Sequence, residues 1–77
     1  MDFERFHSWL QSNKGMTERS ASDVASRVRR ALKIADAQKV DSETYNQLAS
    51  SAEYQSLSVN IRSQLKRALA LYNEFAK

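Results

Sequence analysis

The residues best equipped to do chemistry in this chain are its arginines and lysines, twelve among 77 residues, and eight of the twelve gather in two clusters. Arg19, Arg27, Arg29, Arg30 and Lys33 begin at the polar stretch Thr17-Glu18-Arg19-Ser20, while Arg62, Lys66 and Arg67 follow Ser58. A guanidinium is a planar fork that pairs bidentately with phosphate or guanine, whereas an ammonium neutralises phosphate as a point charge. Few carboxylates lie within one helical turn of Arg27, Arg29, Arg30 and Lys33 to cancel them. The chemistry on offer is recognition of a polyanion, and duplex DNA is the partner that two basic helix faces fit.

Other reactive side chains do not converge on a competing chemistry. His7 is the only histidine and there is no cysteine, so no nitrogen or sulfur metal site can be assembled, and no cofactor is called for. Ser8, Ser12 and Ser20 stand in no hydrolase-like context with a His and an Asp. Asp2, Glu4, Glu18, Asp23 and Glu43 sit near expected helix starts, where carboxylates serve the helix dipole. Tyr72 falls on an apolar stripe and reads as core, and the aromatic residues do not alternate with basic ones as a single-strand stacking platform requires. The chain reads as a binding domain and not as an enzyme.

What must position the basic residues is a small all-α domain. A chain this short supports one shared core, so residues 1–77 are expected to form a single helical domain. No Pro and one Gly leave too little turn vocabulary for several hairpins. Apolar residues at 42% and charged residues at 27% are ordinary for a globular chain, and the formal charge of +3 makes charge placement matter more than total charge. No apolar run approaches the roughly 18 residues of a membrane span, and no basic-then-apolar leader opens the chain. A cytoplasmic location without membrane association is the expectation.

Periodicity predicts four helices, over 3–13, 17–37, 42–52 and 58–76. Asp2 is the expected cap of the first, and Gly15 its stop. Thr17 or Ser20 caps the second, with Ser20 and Asp23 resembling a capping box. Asp41, Ser42 and Glu43 supply cap candidates for the third, with Tyr45, Leu48, Ala49 and Ala52 as its inner face, and a connector over 53–57 turns Tyr54 and Leu57 inward. Ser58 caps the fourth. The expected core comprises Phe3, Phe6, Leu10, Val24, Val28, Leu32, Leu48, Leu57, Ile61, Leu65, Tyr72 and Phe75.

The string Gly15-Met16-Thr17-Glu18-Arg19-Ser20-Ala21-Ser22-Asp23-Val24, followed by Arg27-Val28-Arg29-Arg30, resembles the start of the second helix in the core-binding domain of tyrosine recombinases, the phage-type integrases. Upstream, Phe3 to Leu10 is similar to that domain's opening amphipathic helix, and Leu57-Ser58 through Leu69 to Tyr72 and Phe75 is similar to its closing one. Ser20 stands where Thr is usual in the family, Val24 where Tyr is common, and Ile61 where a second Thr is frequent. The resemblance implies a compact four-helix SAM-like bundle that grips DNA for site-specific recombination and integration, encoded by a bacterium or phage and associated with the nucleoid. It also implies a downstream catalytic domain with Arg, His and a nucleophilic Tyr, so that these residues would bind without cutting.

In that reading Thr17, Ser20 and Ser58 present phosphates to helix N-termini, and Arg19, Arg27, Arg30, Lys33, Arg62 and Lys66 neutralise the backbone or reach base edges. The alternative is a small helical protein-interaction module that docks a partner through the polar third helix or an exposed Trp9.

Overall fold

The computed structural model describes residues 3–41 and 43–77, in which the only regular elements are α-helices. They are α1 (Phe3–Lys14), α2 (Glu18–Ala35), α3 (Thr44–Ala49), α4 (Ala52–Gln55) and α5 (Val59–Ala76). The all-α expectation holds, with five helices in place of four. The expected caps Asp2 and Ser42 lie outside the described residues.

α2 is the central element, and α1, α3 and α5 all pack on it. Its buried residues Ala21, Val24, Ala25, Val28, Ala31 and Leu32 recur at helical spacing, as do Phe6 and Leu10 of α1 and Leu65, Ala68, Leu69 and Tyr72 of α5. Contacts between α1 and α5 pair Phe3 with Tyr72, Phe6 with Tyr72 and Phe75, and Trp9 with Phe75, at ring-centroid separations of 4.8 to 6.1 Å. The two helices therefore run the same way. α2 runs against them, since only the three residues 15–17 separate it from α1, on which it packs.

Caps explain where the long helices begin. Thr17 Oγ1 accepts from Ser20 N at 3.1 Å, so Thr17 caps α2 and Ser20 lies inside the helix, which removes the Ser20–Asp23 capping box. Ser58 Oγ accepts from Ile61 N and starts α5 as expected. Gly15 supplies the left-handed residue after α1 at φ +64°. α2 stops two residues earlier than its periodicity predicts, because Asp36 turns left-handed at φ 55°. The N–H groups of Asp36 and Ala37 then return to Lys33 O and Leu32 O, the pattern of a Schellman motif.

This ending yields a prediction. An L-residue with a side chain is strained in the left-handed region, and a carboxylate at a helix C-terminus opposes the dipole. Asp36→Gly removes both penalties and is expected to raise stability by about 0.5–1 kcal/mol. A lowered midpoint in urea unfolding would show that the Asp36 side chain contributes something the backbone does not.

The third expected helix is the main correction. It runs over Thr44–Ala49, breaks at Ser50-Ser51, and resumes as the single turn Ala52–Gln55, within what the periodicity reads partly as connector. Ser51 is extended at ψ 132°, and Ser50 Oγ donates to Asn46 O, a local bond that competes with continued helix. Packing favours the break. On an unbroken helix Tyr54 would sit about 100° round the axis from the Thr44–Leu48 face, whereas here it is buried and its hydroxyl donates to Arg62 O at 3.2 Å.

The inner face of α3 is Thr44 and Leu48, with Ala49 half-buried, and Tyr45 and Ala52 are exposed instead of inward. Thr44 is 1% exposed and its hydroxyl is the hub of the preceding loop. It accepts from Asp41 N and shares its proton between Lys39 O and Asp41 Oδ1. Asp41 in turn accepts from Glu43 N, which holds its carboxyl below the usual range against the opposing effect of burial, with Thr44 and Lys39 adding to the lowering. Of the expected core, Phe3, Leu57, Ile61 and Phe75 are only half-buried at its margin, while Ala25 and Leu71 join it.

Candidate nucleic-acid interface

At 100° per residue, the buried face of α2 leaves Arg19, Arg30 and Lys33 within about 40° of the opposite direction. All three are exposed, and the neighbouring Ser26 keeps the strip polar. Among the described residues, none of Arg19, Arg27, Arg30, Lys33, Arg62 and Lys66 has a carboxylate at ion-pair distance; the ion pair found is Lys14–Glu74 at 2.8 Å. The outer strip of α2 therefore carries three charges that only solvent answers.

Arg27 and Arg29 lie about 100° to either side of the buried face and do different things. Arg27 is half-buried in a groove between α2 and α5, over a floor of Met16, Val24, Ala68 and Leu71, with Ser20, Asp23, Gln64 and Arg67 on its walls. Arg29 lies on the other flank, its guanidinium carbon 4.5 Å from the centroid of Phe3. Such a placement is a cation–π contact that uses Arg29 to cover the edge of the aromatic cluster.

α5 divides its charges in the same way. Arg67 faces the groove shared with Arg27, whereas Arg62 and Lys66 occupy the flank toward α3 and α4. Lys66 Nζ stands 5.3 Å from the Tyr45 ring centroid. Arg62 Nε is hidden from solvent with no hydrogen-bond partner among the described residues, an arrangement that costs about 1–3 kcal/mol when nothing compensates it. Burial pushes the Tyr54 hydroxyl above its ordinary range, the Tyr45 hydroxyl adds to this, and Arg62 pulls the other way.

Of the residues expected to form the interface, the structure thus brings together Arg19, Arg30 and Lys33 on one strip, Ser20 and Arg27 in one groove, and Arg62 and Lys66 in one pocket. The two caps are apart. Lys14–Glu74 ties the start of α2 to the end of α5, so Ser58 lies about 24 Å along α5 from the region of Thr17, or two-thirds of a duplex turn. Both hydroxyls already accept a backbone N–H. Arg67 and Gln64 join the groove without having been expected as site residues, and Tyr45 and Tyr54 meet Arg62 and Lys66 in space although they do not interleave with them along the chain.

The lone histidine is engaged by its neighbours. His7 Nε2 lies 3.3 Å from Glu18 O and 3.2 Å from Ser22 Oγ. A carbonyl can only accept and a hydroxyl can do either, so both contacts engage the same ring nitrogen. Among the described residues no group of three or more His, Asp or Glu could hold a metal, and no helix is long and apolar enough to cross a membrane. No protein-family profile, curated protein or solved structure matches this chain.

Proposed function

We propose that this chain is a duplex-DNA-binding domain that works as the core-binding domain of a tyrosine recombinase does, as a four-helix SAM-like unit if α3 and α4 count as one element, with strand cleavage left to a separate catalytic domain. The observation that carries the reading is the strip of Arg19, Arg30 and Lys33, exposed, free of ion pairs among the described residues and carried on the central helix. Laid along a groove, it neutralises phosphates, and Arg27 with Ser20 borders the adjoining groove between α2 and α5. In this reading Thr17 marks the positive end of α2 beside a phosphate, and Arg62, Lys66 and Ser58 meet the backbone on a separate stretch of duplex. Trp9, one of the two features on which an interaction module would rely beside the polar third helix, is half-buried and packs against Phe6 and Phe75.

Substituting lysine for arginine tests whether geometry matters beyond charge. Arg27→Lys and Arg30→Lys keep the net charge but lose the planar fork, so duplex affinity at matched salt is expected to fall by about three- to tenfold for at least one of them. Parent-like affinity in both variants, with an unchanged salt slope, would reduce the interaction to diffuse electrostatics.

A further inference from the structure

The pocket bounded by α3, α4 and α5 has a character that the outer strip of α2 lacks. It is an open depression of about 420 Å³, within the size range of small-ligand sites, and its lining includes no carboxylate. Tyr45 and Val59 both line it and are the exposed large hydrophobic residues of the described chain, Val59 being 67% exposed. Arg62 and Lys66, one helical turn apart on α5, supply two positive charges, neither of them paired with an acid among the described residues. Arg62 Nε has no hydrogen-bond partner among the described residues. Ser63 and Tyr54 place hydroxyl-bearing side chains on the same walls.

Two cations beside an aromatic and an aliphatic side chain complement a ligand that is anionic at one end and flat and apolar at the other. Hydroxyl groups on the walls suit a flat group with polar edges better than a hydrocarbon tail. We propose that this pocket takes a single nucleotide, its phosphate between Arg62 and Lys66 and its base on Tyr45 and Val59. The nucleotide is either free or one unit of a single strand. The pocket shares Arg62 and Lys66 with the duplex reading but needs neither α2 nor its outer strip, so the two are tested at different amides.

The test is an NMR titration of the whole chain with thymidine 5′-monophosphate, thymidine, inorganic phosphate and a short oligothymidylate. The monophosphate is expected to shift the amides of Tyr45, Val59, Arg62 and Lys66 together, and to bind about tenfold more tightly than thymidine or phosphate alone. A tighter fit of the oligothymidylate at the same amides assigns the site to a strand unit, and equal or weaker binding assigns it to a free nucleotide. Tyr45→Leu, at an exposed position that tolerates exchange, is expected to weaken the monophosphate about tenfold, and Lys66→Ala to weaken it similarly. No shift at these four amides, thymidine or phosphate binding as tightly as the monophosphate, or full affinity in Tyr45→Leu would overturn the assignment.

Discussion

Phe6→Ala is expected to cost about 3–5 kcal/mol, the largest stability loss available from one side chain in this protein. Phe6 is fully buried and touches Trp9, Tyr72 and Phe75, with ring centroids 4.8 to 6.3 Å away. Its removal leaves a cavity where α1 meets α5, and the rings that line it belong to two different helices, so they cannot collapse inward without moving a backbone. A domain of this size has a total stability of roughly 4–12 kcal/mol, so the loss is a large fraction of it and at the low end of that range unfolds the variant. Leu65→Ala, at 1% exposure, should cost about 2–4 kcal/mol by the same mechanism. Urea unfolding monitored by circular dichroism reads both; a loss under about 1 kcal/mol for Phe6→Ala would mean that the aromatic cluster does not hold α1 in place.

The second large effect concerns binding. Reversing the outer strip by Arg19→Glu, Arg30→Glu and Lys33→Glu together is expected to lower duplex affinity by on the order of a hundredfold at low salt, and to reduce the slope of log affinity against log salt by about 3. All three side chains are exposed and free of ion pairs among the described residues, so the fold should persist, as the far-ultraviolet spectrum would verify. The matched control is Arg29→Glu, which changes one charge at a position packed on Phe3 and should have a smaller effect on binding per charge. If the triple variant binds as the parent does, the strip is only a solvated helix face.

How much of this was legible in the sequence depends on what each residue had to reveal. α1, α2 and α5 are readable because their apolar stripes are long and end at Gly15, Thr17 or Ser58, where local chemistry alone decides the boundary. Asp36 misleads because it continues a helical pattern yet tolerates the left-handed region that closes α2. The break at Ser50-Ser51 is hidden for a related reason. Serine fits a helix interior, a cap or a turn, and the choice was made by the burial of Tyr54, a tertiary demand. Thr44 reads as polar and surface-bound until the loop from Lys39 to Asp41 surrounds its hydroxyl.

For the candidate interface, the identity of the basic residues is legible but their direction is only partly so. Arg19, Arg30 and Lys33 lie far enough from the buried stripe that the helical wheel alone turns them outward. Arg27 and Arg29 lie at its borders, where the neighbouring helix decides whether a guanidinium lines a groove or covers a ring. The pocket of Tyr45, Tyr54, Arg62 and Lys66 draws on three helices, and no spacing along the chain announces it.

The most direct test of the central claim is titration of the isotope-labelled domain with a short duplex at about 50 mM salt, where counterion release favours binding. Progressive shifts of the amides of Thr17, Arg19, Ser20, Arg27, Arg30 and Lys33, weakening steeply as salt is raised, are the predicted result. Unmoved α2 amides at that salt, with the domain folded and the duplex in excess, would contradict it.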